Sequence, residues 1–401
     1  MHLLPLLTVV AAAAVLYGVN RRLGGLPATI GVTLWALVGS LVIIGAGALG
    51  SPVRSLASAL VARVHFRETV LEGLLSLLLF AGALEVDLPA LLGEKALVAA
   101  LATVGVVLST GIVGGLTLLV ARLCGLPLGL PECLLFGAIV SPTDPVATLG
   151  MLRTAHAPKR IEVQMAGESL FNDAVGVVVF FALYQIAAGH TVGAGAIALS
   201  FARQVAGGAA LGLAAGWAAG RLLSRYCRPP LGLIVTLALA AGLNPLAERL
   251  GVSGYLAVII AGLMVGNLQL GGRLRHLWEI VDEALNVVLF AMVGFEILVV
   301  PLGPRVLAGG LLAVPAVLLA RLAVVGGTLA PFARRLALPP RSVVLLTWGG
   351  LRGGLAIALA LSVGPEIAAA PLLLGLTYLV VLFSIIVQGL SFKRLLRPPA
   401  T

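Results

Sequence analysis

The sequence predicts an all-α polytopic membrane protein with about 13 transmembrane helices, because long apolar runs recur along the whole chain. Of its 401 residues, 60% are hydrophobic and 10% carry a charged side chain, whereas a soluble domain has about 25% charged residues. The apolar runs are continuous, which selects helices over the short alternating segments of a membrane barrel. The 50 glycines follow no fixed period. Soluble, collagen-like and disordered classes are therefore excluded.

The candidate spans are apolar runs of a length suited to crossing the roughly 30 Å hydrocarbon layer. They cover residues 3–19, 26–48, 69–88, 96–121, 132–152, 161–187, 197–222, 231–247, 254–269, 277–300, 306–330, 341–362 and 369–390. We expect the first run to be a retained helix, because no positive segment precedes it as in a signal peptide. Lys and Arg are enriched in the odd-numbered loops and after the last run, which predicts an outside N-terminus and a cytoplasmic C-terminus.

The net charge of +10 comes from Lys and Arg residues in short groups between the apolar runs, and no basic stretch is interleaved with aromatic residues. We therefore expect no nucleic-acid partner. The cysteines and histidines show no metal-ligand or redox spacing, so we expect no cofactor, no resident metal and no disulfide.

The fifth run carries a carboxylate between two prolines, in the segment 136–147. Asp144 follows Thr143 and is bracketed by Pro142 and Pro145. Each proline removes a backbone donor and clashes with the preceding turn, so the helix should open around Thr143 and free carbonyl oxygens beside the carboxylate. This pattern predicts an oxygen-rich cation site. The alternative is a simple proline kink with Asp144 turned into a polar crevice.

The sixth run carries two polar stripes on one predicted helix. Ser169 and Asp173 are four residues apart and share a face, and Glu168 and Asn172 share the neighbouring face. Ionisable groups within a bilayer are costly and are functional candidates by default. The alternative is a solvated helix start.

Two arginines lie within later apolar runs. Arginine stays protonated, so Arg321 and Arg352 each need an anionic partner or the C-terminal end of a helix. Four glycines flank Arg352 and predict a second opened helix. The alternatives are a side chain that extends to the membrane interface and, for Arg352, glycine-mediated helix packing. At 1.5 Å per residue, both arginines and the carboxylates at positions 144 and 173 fall near the bilayer midplane.

The opened runs are the fifth and the twelfth, which traverse the membrane in opposite directions. This arrangement predicts inverted-topology repeats with two crossing discontinuous helices and a site at the midplane. We expect a single membrane transporter domain over 1–401, with a first repeat in 1–190 that carries the ion-binding motifs, a linker helix in 191–230 and a second repeat in 231–401.

With these motifs the chain resembles the NhaP-type monovalent cation/proton antiporters of the sodium/proton exchanger family. The resemblance spans nearly the full length and includes Thr-Asp-Pro on the fifth run, Glu-Ser-Leu-Phe-Asn-Asp on the sixth, Ala-Arg-Leu on the eleventh and Gly-Gly-Leu-Arg-Gly on the twelfth. It implies a secondary antiporter rather than an enzyme. It also implies a homodimer in the bacterial inner membrane that takes part in pH homeostasis.

For the ion site, the resemblance implies that Asp173 is the main ion-binding and proton-carrying carboxylate. It implies that Asp144, Asn172, Ser169 and Thr143 hold or shape the site, with Na⁺ at Asp173, Asp144, Ser169 and Thr143.

For the supporting charges, the resemblance implies a structural ion pair between Glu168 and Arg321. It further implies that Asp144 and Arg352 offset the half-helix ends where the fifth and twelfth runs cross.

The chain departs from the family pattern on the third run. Many members have an acidic residue where this chain has Ala81, and Glu85, on the same helical face, is a possible extra ligand in its place. Other acids are weaker candidates: Asp282, Glu283 and Glu296 on the tenth run line an entry funnel or belong to solvated helix ends.

The mechanistic hypothesis is antiport of Na⁺ or Li⁺ against H⁺ by alternating access. Burial disfavours the charged form of a carboxylate and a nearby cation favours it, so Na⁺ and H⁺ compete for one site. The Asn-Asp pair on the sixth run suggests, by resemblance, electroneutral exchange. The alternatives are a K⁺/H⁺ antiporter, another cation-coupled transporter of this fold such as an organic-anion symporter, a cation channel, and an intramembrane aspartyl protease that uses Asp144 and Asp173.

Overall fold

The computed structural model describes residues 3–144, 146–155, 157–190, 193–225, 229–268, 272–336 and 341–396. Its helices are α1 Leu3–Val19, α2 Ala28–Ala48, α3 Val53–Ala62, α4 Phe66–Glu68, α5 Leu75–Glu85, α6 Leu88–Gly93, α7 Lys95–Ala100, α8 Val106–Cys124, α9 Leu130–Val140, α10 Val146–Thr154, α11 Lys159–Ala187, α12 Ala194–Arg225, α13 Pro229–Leu250, α14 Gly254–Gly266, α15 Gly272–Phe295, α16 Pro304–Leu336, α17 Ser342–Gly349, α18 Gly354–Leu361, α19 Ala370–Phe383 and α20 Gly389–Leu395. π-Helical turns extend α1 and join α4 to α5, α7 to α8 and α19 to α20.

Eight helical segments in the described part of the chain are long and apolar enough to cross a membrane. They are Leu4–Gly24, Ala28–Ala48, Lys95–Cys124, Lys159–Ala187, Gly195–Arg225, Pro230–Leu250, Pro304–Phe332 and Ala370–Leu395. The predicted all-α, multi-pass membrane architecture is confirmed. The remaining predicted runs coincide with helices that are shorter, more charged or interrupted, and the total of about 13 spans stays a prediction.

The longest helix that lies where the sequence predicted a loop is α3. Between the second and third runs the chain forms α3, in which no residue is buried. The apolar runs gave no sign of α3 because it is only 10 residues long, about half of what a membrane span needs.

Two helices are interrupted, at the positions that the sequence indicated. On the fifth run, α9 ends at Val140 and α10 begins at Val146. On the twelfth, α17 ends at Gly349 and α18 begins at Gly354. The two interruptions are in contact, because the backbone N–H of Asp144 donates to the carbonyl oxygen of Leu351 at 2.8 Å. The second bracketing proline, Pro145, lies outside the described residues.

Glycines allow close approach between helices. An added Cβ at Gly208 would lie 2.5 Å from the Ser253 carbonyl oxygen, and one at Gly212 would lie 2.5 Å from the Ala257 carbonyl oxygen. These positions therefore hold α12 against α14 with backbones almost touching, the usual way for helices to associate where lipid removes the hydrophobic driving force.

The contact between α8 and α9 depends on glycine in the same way and gives a stability test. A Cβ at Gly137 would lie 2.3 Å from the Thr110 carbonyl oxygen. Because this atom belongs to the backbone of α8, it can move only if the helix moves. We expect Gly137→Ala to destabilise the protein by about 1–3 kcal/mol, measured by thermal unfolding in detergent.

Gly115→Ala is the matched control, because a Cβ there meets nothing within 4 Å. It should be neutral or stabilise by up to about 1 kcal/mol through helix propensity. Equal unfolding temperatures for the two variants would contradict the close packing of α8 on α9.

Candidate ion-binding site

A cavity of about 740 Å³ reaches from one face of the molecule to the interrupted helices. Its outer rim carries the charged residues Asp87, Arg153, Lys159 and Arg275. The four predicted Na⁺ ligands line it: Thr143, Asp144, Ser169 and Asp173. The oxygen-bearing side chains of the fifth and sixth runs therefore share one solvent-accessible space.

Asp173 faces this cavity from α11 and is partly exposed. Within the described part of the chain, no hydrogen-bond donor or basic side chain is paired with its carboxylate, and the charge that acts on it is that of Asp144. The side chain is thus turned neither towards the outside of the helix bundle nor against a guanidinium. An unpaired carboxylate of this kind is available to a cation or a proton.

Thr143 is held by two residues of α11. Its hydroxyl lies 3.0 Å from that of Ser169. The Asn172 side chain makes two hydrogen bonds to Thr143: Nδ2 donates to Thr143 Oγ1 at 2.8 Å, and Oδ1 accepts from the Thr143 backbone N–H at 3.3 Å. Asn172 does not line the cavity. Its contacts shape the interruption and leave ligand oxygens to its neighbours.

Asp144 is placed at the start of α10. One of its carboxylate oxygens accepts from the Val146 backbone N–H at 2.9 Å, so the negative charge stabilises the positive end of that half-helix. The same carboxylate lies against Gly353, where an added Cβ would sit 2.2 Å from Oδ2. Only glycine leaves room for it there.

Glu168 and Arg321 form a buried ion pair outside the cavity. Both guanidinium Nη atoms donate to the two carboxylate oxygens, the second at 2.9 Å, and this second nitrogen also donates to the Leu346 carbonyl oxygen at 3.1 Å. Gly350 makes room for the guanidinium, since a Cβ there would lie 2.8 Å from Arg321 Nε. The pair joins α11 and α16 to the C-terminal end of α17.

Arg352 lies in the interruption of the twelfth run and is 2% exposed. Its Nη1 donates to the Gly350 carbonyl oxygen at 3.0 Å, and its backbone N–H donates to Ser384 Oγ at 2.8 Å. The guanidinium therefore sits at the negative end of α17. In the described chain no carboxylate pairs with it directly.

Glu85 lines the cavity but is already engaged. Its carboxylate accepts from Arg153 at 3.0 Å, and Arg153 also donates to Glu162 at 2.7 Å. Ala81, one turn earlier on α5, is buried. Glu85 thus belongs to an ion-pair network near the rim and does not join the Thr143 cluster.

Two lining residues were not recognised as a unit from the sequence. Asn286 and Asp282 are one turn apart on α15 and both face the cavity. Their four-residue spacing was the available signal, but which face of α15 meets the cavity depends on its packing against other helices.

The assembled oxygens are of the type that hard cations prefer. Thr143 and Ser169 offer hydroxyl oxygens, and Asp144 and Asp173 offer carboxylate oxygens, the ligand types that alkali and alkaline-earth ions prefer. Interrupted helices that meet around such oxygens, with a cavity leading to them, define a secondary transporter of cations.

The family follows from comparison with known proteins. A family model described as "Sodium/hydrogen exchanger, transmembrane" matches residues 9–397, so the chain belongs to the sodium/hydrogen exchanger family. This family consists of transporters, not enzymes, and the resemblance seen in the motifs is confirmed.

Relatives cover most of the chain. It is 40% identical to the Na⁺/H⁺ antiporter NhaP of Pseudomonas aeruginosa, over 97% of this chain and 95% of that protein. It is 31% identical to the Na⁺/H⁺ antiporter NhaH of Halobacillus dabanensis, over 83% of each chain. The solved structure of the sodium proton antiporter MjNhaP1 from Methanocaldococcus jannaschii at pH 8 has the same fold, with a TM-score of 0.73 at 21% identity over 97% of this chain and 98% of that one.

The ion pair gives a second stability test. Glu168→Gln leaves the Arg321 guanidinium buried without a counter-charge, so we expect a loss of about 3–5 kcal/mol in thermal unfolding. The double variant Glu168→Gln/Arg321→Gln should recover part of this loss, because no charge remains unpaired.

Glu162→Gln is the control, since it removes a charge from a solvent-accessible pair with Arg153 and should cost less than about 1 kcal/mol. If Glu168→Gln unfolds at the same temperature as Glu162→Gln, the pair with Arg321 is not a structural requirement.

Proposed function

We propose that this protein exchanges Na⁺ for H⁺ across the plasma membrane by alternating access, with Asp173 as the group for which both ions compete. One observation carries the proposal: an unpaired carboxylate at the inner end of a cavity, with hydroxyl and carboxylate oxygens beside it. The Pseudomonas and Halobacillus relatives, which are Na⁺/H⁺ antiporters by name, support the same substrates.

Competition follows from the electrostatics of burial. In a low-dielectric surrounding the ionised carboxylate is costly unless a cation or a proton neutralises it. Asp144 adds a second negative charge nearby, which strengthens the demand for a positive ligand. If only a neutralised site crosses between the two access states, each Na⁺ that moves one way is balanced by H⁺ moving the other way.

Thr143 and Ser169 contribute hydroxyl oxygens that bind Na⁺ but not a proton. We propose Na⁺ ligation by Asp173, Asp144, Ser169 and Thr143, with Asn172 as the residue that positions Thr143. Glu85 is held by Arg153 and is an extra ligand only when that pair opens.

Helix packing supports the inverted repeats over 1–190 and 231–401, joined by the helix within 191–230. The packing of α8 on α9, on the fourth and fifth runs, has its counterpart in the packing of α16 on α17, on the eleventh and twelfth. The contact of α2 with α15 likewise corresponds to that of α14 with α5. Each contact recurs when every run is replaced by the run seven positions away in the other half. This is the pattern expected of a pseudo-two-fold axis. In this arrangement the two interrupted helices cross at Asp144 and Leu351.

The charge asymmetry of the loops supports an outside N-terminus and a cytoplasmic C-terminus. The cavity rim, with Arg153 and Lys159, then faces the cytoplasm, so the structure corresponds to an inward-open state. The homodimer rests on the family resemblance.

K⁺/H⁺ exchange is a second candidate. It is favoured by 31% identity to the K⁺/H⁺ antiporter NhaP2 of Shewanella oneidensis, over 73% of this chain and 50% of that protein. The Na⁺/H⁺ relatives match over more of their length and make Na⁺ the first choice.

The central test is Asp173→Asn in proteoliposomes that carry a pH gradient. In wild type, added Na⁺ should dissipate the gradient, and Li⁺ and K⁺ added separately establish the cation preference. The variant should lose the response to every cation, because asparagine has no carboxylate that could carry a proton or neutralise a bound cation.

Glu279→Gln is the control for acid removal, because Glu279 lies on α15 and is exposed outside the cavity. Its rate should equal that of wild type. A wild-type rate in Asp173→Asn would remove Asp173 from the mechanism.

Stoichiometry gives a separate test. With one carboxylate, Asp173, alternating between Na⁺ and H⁺, a cycle moves no net charge. We therefore expect the Na⁺-dependent H⁺ flux to be unchanged when valinomycin and K⁺ clamp the membrane potential at zero, at negative or at positive values. A flux that scales with the imposed potential would instead indicate unequal exchange and a second titrating group.

A further inference from the structure

Asp282 lies where two cavities meet. A second cavity of about 670 Å³ runs between the start of α2, α10, α15 and α20. It shares four lining residues with the first cavity: Val146, Gly150, Asp282 and Asn286. Asp282 is the one charged residue among these four and lines both cavities.

The surroundings of Asp282 leave its charge uncompensated. Asn286 Nδ2 donates to Asp282 Oδ2 at 3.1 Å and to the Asp282 carbonyl oxygen at 2.9 Å, which fixes the side chain without neutralising it. Within the described residues no basic nitrogen lies within ion-pair distance of it. The charges that act on it are those of Glu85, Asp144 and Arg153, and Arg153 is itself held by Glu85 and Glu162.

Asp282 lies on the proposed route of the cation, because it lines the same cavity as Glu85 and Asp144. Glu85 belongs to the network near the rim, Asp144 to the interrupted helix, and Asp282 interacts electrostatically with both. A negative charge in a cleft with low-dielectric walls raises the local concentration of cations and their rate of arrival. A hydrogen-bonded carboxylate without a counter-ion is suited to this role.

We propose that Asp282 is a cation-capturing residue of the exchanger, which draws Na⁺ from the cytoplasm towards Asp144 and Asp173 and thereby sets the apparent affinity for the ion. The inference rests on the proposed exchange and deepens it. Asp282 acts before the ion reaches Asp173, so it affects the concentration dependence of transport and not the turnover of the loaded site.

The test measures Na⁺-dependent H⁺ flux in proteoliposomes, with Na⁺ supplied to the cavity side. Asp282→Asn keeps the size of the side chain and removes its charge. We expect the KM for Na⁺ to rise about tenfold, which is equivalent to about 1.4 kcal/mol, while the maximal rate stays within about twofold and its pH profile does not shift. Asp282→Glu should restore the wild-type KM, because it restores the charge.

Glu283→Gln is the matched control on the next residue of α15. Glu283 accepts a hydrogen bond from the Tyr17 hydroxyl at 2.7 Å, which glutamine preserves, and it does not line the cavity that leads to Asp173. Its KM should equal that of wild type. A rise as large as that of Asp282→Asn would show that any acid at this end of α15 acts alike, and the assignment to Asp282 would be wrong.

The remaining outcomes are also decisive. An unchanged KM in Asp282→Asn, with exchange intact and Asp173→Asn inactive, overturns the inference and leaves the proposed function standing. A lower maximal rate with unchanged KM assigns Asp282 a structural role instead. If the Asn variant does not fold, Asp282→Ser decides by the same criteria. Absence of exchange in the wild type overturns the proposed function itself.

Discussion

The cost of an uncompensated charge in a low-dielectric environment governs the arrangement of this protein. Every ionisable group deep in the bundle needs an opposite charge, a helix end or access to water. Arg321 has Glu168 and the end of α17, and Arg352 has the end of α17. Asp144 has the start of α10. Among these groups Asp173 has neither an opposite charge nor a helix end and faces the cavity, so its carboxylate is open to a counter-ion, a proton or water.

Interrupted helices make this compensation possible, and glycines make the interruptions compact. A continuous helix would offer no ends near the midplane to stabilise Asp144 or Arg352. The four glycines around Arg352 each allow a separate close approach: Gly349 to Met165, Gly350 to Arg321, Gly353 to Asp144 and Gly354 to Leu289. A Cβ at any of them would require a neighbouring side chain to move, and at Gly350 and Gly353 that side chain is one of the charged groups of the interruptions.

Local patterns in the sequence predicted the membrane class, both interruptions and the lining residues of α11, because prolines, glycines and helical spacing act within a few residues. Pairings between distant segments could not be predicted in this way. The hydrogen bonds between Asn172 and Thr143 depend on how α11 is aligned with an irregular segment. The ion pair between Glu85 and Arg153 joins residues 68 positions apart. The resemblance, and not the spacing, suggested that Glu168 pairs with Arg321. Asp282 was identifiable as an acid within a span, but its place between two cavities depends on how four helices pack.

The division between cavity-lining and buried polar groups separates two kinds of requirement on one helix. On α11, Ser169 and Asp173 face the cavity, whereas Glu168 and Asn172, one position earlier in each case, face the packed interior. The inner stripe fixes α11 to α16 and to the interruption at Thr143, so its loss is expected to act on stability and geometry. The outer stripe lines the cavity, and its carboxylate, Asp173, is partly exposed, so the loss of that carboxylate is expected to act on ion binding with the fold intact. Because the two stripes differ by about 100° around one helix, the rigidity of the first determines where the oxygens of the second are held.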